Sequence, residues 1–188
     1  MNEEKFKELD DAYIAYNNDD IDTAIELYES AANSGSVLAI IQLIYIYSNY
    51  RNGNNRFDFW KNKIIKLAEY NNIAKLGLAN FYFEGVFGQI DNKAGMNSLL
   101  RAADSGNADA QYQLADLYCS GLHDAPVSIE YASYWLRRAY KNRHPGAYYE
   151  ISCYYENSGQ NSKSEYLLKK SADLGFGQAQ DILGDGRY

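Results

Sequence analysis

Five times along the chain an alanine is followed, four residues on, by an aliphatic side chain: Ala39 and Leu43, Ala74 and Leu78, Ala110 and Leu114, Ala147 and Ile151, Ala179 and Leu183. The alanines are separated by 35, 36, 37 and 32 residues, and eight places after each of the first four stands a tyrosine: Tyr47, Tyr82, Tyr118 and Tyr155. Offsets of 0, 4 and 8 lie along one side of an α-helix, so each motif is the buried stripe of a first helix. Recurrence at one such period marks a helical repeat, in which a unit buries its stripe only by stacking on its neighbours. That constraint makes the chain an all-α stack.

A second helix follows in each unit, in "DTAIELYESAANSG", "FWKNKIIKLAEYN", "KAGMNSLLRAADSG", "EYASYWLRRAYKN" and "SEYLLKKSADLG". Its buried row runs through Ala24, Leu27, Tyr28 and Ala31, through Gly95, Ser98, Leu99 and Ala102, and through Ala132, Trp135, Leu136 and Ala139. Small residues recur there because neighbouring helices must approach closely. Gly35, Gly106 and Gly175 are placed to end helices in the left-handed conformation, and Asp91 and Ser162 are candidate N-caps. Each unit is predicted to be a helical hairpin.

The stretch "AKLGLANFYFEGVFGQIDNKAGMNSLLRAADSGNADAQ" resembles the Sel-one-like repeats, relatives of the tetratricopeptide repeats, in its Ala, Leu-Gly, Tyr, Gly-x-Gly-Val, Asp, Lys-Ala and Ala-Ala-x-x-Gly landmarks. Residues 107 to 144 match well and 147 to 188 match with a shortened loop, whereas 36 to 71 have lost the glycines. The opening unit, "DAYIAYNNDDIDTAIELYESA", looks more like a tetratricopeptide unit, with a shorter turn between its helices. The resemblance implies a right-handed α-solenoid of about five hairpins, with first helices lining a concave surface and second helices outside. It also implies a closing helix from "GQAQDILGDGRY", with the polar "MNEEKFKELDD" opening the stack. With 188 residues, two prolines and no linker-like stretch, a single domain over residues 1–188 is expected.

Chemistry is sparsely signalled. His123 and His144 fall in or beside loops, without a Cys, Ser or acid at catalytic or metal-ligand spacing, and are expected to be exposed. Cys119 and Cys153 lie on different helices without CxxC spacing, as packed reduced thiols do. Neither "EGVFG" nor "GDG" is long enough for a phosphate loop, and Asp91 and Asp124 suit caps or turns better than a carboxylate pair. We therefore expect no enzyme, no metal and no cofactor. The N-terminus lacks a basic start and an apolar run, and no segment reaches the ~18 apolar residues of a membrane span, so a cytosolic chain without membrane contact is expected.

Net charge is -7, and residues 1–30 hold ten acids against Lys5 and Lys7. Such an acidic pole repels nucleic acid and attracts a basic protein surface. The basic group Arg137, Arg138, Lys141 and Arg143 in "WLRRAYKNR" has no evident aromatic stacking row beside it, and reads as a solvated outer face.

The positions turned away from the stripe are more informative. Offset 2 from the alanine reads Ile41, Leu76, Tyr112 and Tyr149, where a solvated face would carry Gln, Lys or Glu. Offsets 6 and 9 add Tyr45, Asn80, Asp116 and Cys153, then Ser48, Phe83, Cys119 and Glu156. We take Ile41, Tyr45, Leu76, Phe83, Tyr112, Asp116, Tyr149 and Glu156 as a candidate protein-binding band. Two readings of offset 2 stay open: a free band that grips a partner, or burial between adjacent first helices. A free band leaves thermal stability nearly unchanged in Tyr112→Ala, whereas burial lowers it. The function expected is that of an adaptor or inhibitor, for instance an immunity protein occupying the cleft of a basic toxin. The alternative is a homodimer formed through the same face.

Overall fold

The computed structural model describes the backbone of residues 2–50 and 55–184, and side chains from residue 7 onward outside the gap. The side chains of Glu3, Glu4 and Lys5 in the acidic pole, and the "DGRY" end of the closing segment, lie outside the described residues. Those described form eleven α-helices and no strand.

Two compact units, Met1–Ser98 and Leu99–Tyr188, divide the chain. The first holds α1 (Asn2–Asn17), α2 (Ile21–Asn33), α3 (Val37–Tyr50), α4 (Asn55–Leu67), α5 (Asn72–Phe83) and the start of α6 (Asn92–Asp104). The second holds the rest of α6, then α7 (Ala108–Ser120), a 3-10 turn at Leu122–Asp124, α8 (Ile129–Lys141), α9 (Pro145–Asn157), α10 (Asn161–Asp173) and α11 (Gly177–Gly184).

The repeat motif positions each first helix. All five opening alanines have no accessible surface, and Leu43 and Leu114 share that state. Each of the first three alanines is the third residue of its helix, and its N–H donates to a cap: Ala39 to Ser36 Oγ at 3.2 Å, Ala74 to Asn71 Oδ1 at 2.9 Å, Ala110 to Asn107 Oδ1 at 2.8 Å. The landmark tyrosines anchor the loops. Asp91 N–H donates to the Tyr82 carbonyl at 2.9 Å, and Ser128 N–H donates to the Tyr118 carbonyl at 2.8 Å. These loops therefore fold back to a fixed point on the first helix before the second begins.

Of the two expected N-caps, Asp91 accepts from Ala94 N–H at 2.9 Å. Ser162 is displaced: α10 starts at Asn161 with Gln160 before it, so the hydroxyl falls inside the first turn. Gly35, Gly106 and Gly175 have φ of 94°, 92° and 88°, the left-handed region that releases a chain from a helix end.

In the first unit Ile40, Leu43, Ile44, Trp60, Ile64 and Phe81 form the core across α3, α4 and α5. Tyr47 donates its hydroxyl to Glu29 at 3.0 Å, and Glu29 also pairs with Arg56 at 3.2 Å. The second unit contains a buried polar joint that the repeat pattern did not announce. Gln111, with no accessible surface, donates from Nε2 to the Ala103 carbonyl at 2.8 Å and accepts from Asn142 Nδ2 at 2.8 Å. Asn142 Nδ2 also reaches the Gly106 carbonyl at 3.4 Å. One register later Gln180 makes the same bond to the Ala172 carbonyl at 3.1 Å. In both places glutamine satisfies a carbonyl near the end of a second helix.

Leu114→Ala is expected to destabilise the chain by ~2–5 kcal/mol through the cavity it leaves. Gln111→Ala, which strips partners from the Ala103 carbonyl and Asn142, is expected to cost ~1–3 kcal/mol. Urea denaturation measures both.

Candidate functional site

Where the first helices α3, α5 and α7 carry the caps Ser36, Asn71 and Asn107, α9 carries His144. Its side chain makes no cap bond, and Pro145, which needs no partner for a missing N–H, begins the helix. The ring lies instead against Tyr112 of α7, stacked at 4.3 Å between centroids and 18° between planes. Gly146 permits this approach, because a Cβ there would sit 2.8 Å from Cζ of Tyr112.

His144 thus departs from the exposed loop position expected of it. Its side chain is 11% accessible, Nε2 is 3.4 Å from Asp109 Oδ1, and Nδ1 is buried without a hydrogen-bond partner. Burial lowers its pKa below the ordinary histidine value, with Asp109 opposing the shift. Burial also pushes the Tyr112 hydroxyl up to about 12, helped by Glu150 and Asp116. That hydroxyl donates to Glu150 Oε1 at 3.5 Å.

Beside this stack, α7, α8 and α9 enclose a groove of about 220 Å³. Ala115, Ala132 and Leu136 give it an apolar floor, and Asp116, Glu150 and the Tyr112 ring stand on its walls. Cys119, Ile129 and Ser133 complete the lining, which includes no basic side chain. An apolar slot edged by two exposed carboxylates suits the alkyl stem and charged head of a lysine or arginine.

The expected band divides. Tyr112 and Asp116 line the groove, and Glu156 is exposed on α9. The four offset-2 groups are all half-buried. Ile41 packs on Gly77 of α5, where a Cβ would sit 2.6 Å from Ile41 Cδ1, and the Tyr149 ring lies 5.2 Å from that of Phe176. Tyr45 is half-buried with its ring 5.0 Å from Phe81, and burial, then its bond to Glu84, holds its hydroxyl well above the usual range. Phe83 requires a correction: only 3% accessible, it is covered by α6, whose Gly95 comes so close that a Cβ there would lie 2.6 Å from the ring. The first-helix period alone takes no account of that second helix.

Ile129, Ala132, Ser133 and Leu136 belong to the groove without having been in the band. Their sequence signal was the face of α8 spaced by three and four residues, but only the pairing of α8 with α7 and α9 makes that face a wall. The basic group on α8 differs from expectation as well. Arg138 pairs with Asp104 at 3.2 Å and lies over Trp135 at 4.9 Å and Tyr134 at 5.7 Å, and Tyr134 is half exposed. Aromatic side chains therefore do accompany it.

Among the described residues, no group of three or more His, Cys, Asp or Glu is arranged to hold a metal ion, and no helix is long and apolar enough to cross a membrane.

Hairpins capped and stapled in one register define a helical-repeat protein of the α-solenoid class. The chain belongs to the Sel1 repeat family, matching that repeat over residues 18–36, 73–107, 108–144 and 145–176. The unmatched interval contains α3 and α4, the hairpin without the family glycines. A curated relative, an exopolysaccharide production negative regulator of Rhizobium leguminosarum bv. viciae, is 27% identical over 175 residues, covering 85% of this chain. The chain spans 65% of that relative's length. Among solved structures it is similar to a Sel1 repeat protein from Oxalobacter formigenes, with a TM-score of 0.61 and 22% identity over 87% of this chain and 48% of the other. It is also similar to an immunity protein of Pseudomonas aeruginosa, with a TM-score of 0.53 and 22% identity over 83% of this chain and 59% of the other. Repeats of this family are generally non-catalytic scaffolds for protein interaction.

The Tyr112–His144 stack favours both rings in their neutral forms. A histidine pKa lowered by folding makes stability fall as pH drops below the unfolded value near 6.5. A tyrosine pKa raised by folding makes it fall as pH rises from 10.0 toward about 12. Unfolding followed across pH should show both losses, with His144→Gln flattening the acid limb and Tyr112→Phe the alkaline limb.

Proposed function

We propose that this chain is a single protein-binding domain that grips a basic partner through the first-helix face of α7 and α9. The observation that carries the reading is the groove beside Tyr112: an apolar floor, the carboxylates of Asp116 and Glu150 at its edge, and no cation in its lining. Acids in residues 1–30 would add long-range attraction for the same kind of partner. Family membership supports an interaction role, and a fold shared with an immunity protein supports inhibition of a basic toxin as its form. The regulator among its relatives fits a non-catalytic binder equally. A cytosolic site of action completes the proposal.

The test is capture of partners from the native cell with the full chain, followed by mass spectrometry and titration of the recovered protein. Asp116→Lys with Glu150→Lys is expected to weaken binding by about tenfold or more at low salt while leaving the melting temperature unchanged, because both side chains are exposed. Binding that is indifferent to these reversals and to ionic strength overturns the assignment.

A further inference from the structure

A second face of the Leu99–Tyr188 unit carries opposite chemistry. Helices α8 and α10, with Arg143 just beyond α8, hold seven basic residues against Glu130, Glu165 and Asp173 in a chain of net charge -7. One arrangement occurs in both helices at the same register: Tyr134, Arg137 and Arg138 in α8, and Tyr166, Lys169 and Lys170 in α10. Both tyrosines are exposed, at 51% and 61%. Each carries a cation over its ring, Arg138 at 5.7 Å and Lys170 at 5.8 Å.

The α8 part is the outward face of one helix, carrying Ser133, Tyr134, Arg137, Arg138 and Lys141, with Ile129 and Glu130 in its first turn. Ile129 is 79% accessible. Arg138 is held by Asp104 and the Tyr134 hydroxyl, both at 3.2 Å, whereas Arg137 and Lys141 have no ion-pair partner among the described residues. Cations near a helix C-terminus complement its dipole, which accounts for Arg138 and Lys141. That effect does not account for an exposed tyrosine preceding a basic pair in two successive second helices.

We propose that this second-helix face is a docking surface for an acidic segment of a partner protein that also presents an aromatic or aliphatic side chain. Carboxylates of the segment meet Arg137 and Lys141, and its apolar group lies against Tyr134. Nucleic acid is the weaker candidate because one face of each exposed ring is already occupied by its own cation, which limits base stacking, and because the chain is acidic. This surface adjoins the carboxylate-edged groove, with Ile129 and Ser133 at the border of both.

The test selects a random displayed peptide library against the full chain at low salt. Enriched peptides are expected to be rich in Asp and Glu and to contain an aromatic or aliphatic residue. They should bind about tenfold more weakly to Arg137→Glu/Lys141→Glu and lose affinity as salt rises. The groove variant Asp116→Lys should bind them normally, which separates this result from failure of the basic-partner reading. No enrichment, enrichment without acidic bias, or indifference to the Arg137 and Lys141 reversals overturns the proposal. Two control measurements use the same variant: oligothymidylate binding by fluorescence anisotropy and self-association by sedimentation. Loss of either activity on reversal would assign the face to nucleic acid or to a second copy, and also overturn the proposal. Circular dichroism checks folding, with Arg137→Gln/Lys141→Gln replacing the reversal should its helicity fall.

Discussion

Complete burial of one small residue near the start of α3, α5, α7, α9 and α11 is the constraint on which the other features depend. Each of the five opening alanines has no accessible surface, and three of them give their N–H to a cap residue at the same offset. A methyl group is small enough to let neighbouring backbone close over it, while the cap satisfies a donor that the helix cannot. Position and direction of the helix start are therefore set together. The aliphatic and tyrosine landmarks then follow at helical spacing, and the loop bonds to the Tyr82 and Tyr118 carbonyls set where the next helix begins.

The candidate site arises where this rule is broken. With histidine in the cap position of α9, the ring is released from capping and stacks on Tyr112 across the close approach that Gly146 allows. Tyr112 is thereby held over a groove whose floor is aliphatic and whose edge is carboxylate. Its role is double: the ring supports packing between first helices, and its exposed part remains available to a ligand. The same holds in weaker form for Ile41 and Tyr149, which are half-buried against neighbouring elements.

The proposals assign opposite charges to two faces. First helices α7 and α9 present Asp116 and Glu150, whereas second helices α8 and α10 present arginines and lysines beside exposed tyrosines. Within each hairpin the two helices show different faces to solvent, so one repeat can carry two unrelated surfaces without conflict in its core.

The architecture was legible from residue spacing alone, because a helix must place offsets 0, 4 and 8 on one side and the hairpin has no other way to bury them. The terminal glycines were legible for a similarly local reason, since ending a helix there requires positive φ. Less of the site could be read. Offset 2 was recognised as chemically unusual, yet its half-buried state depends on which neighbour faces it, and a helical period measures only a residue's own helix. Phe83 was assigned to the surface because Gly95 lies outside that period. The joint made by Gln111 and the stack made by His144 were likewise invisible, since each depends on atoms that come together only when separate turns are packed. Sequence by itself determined which side of each helix is buried; tertiary structure alone decided what covers the other side, because contact between helices depends on their separation in space.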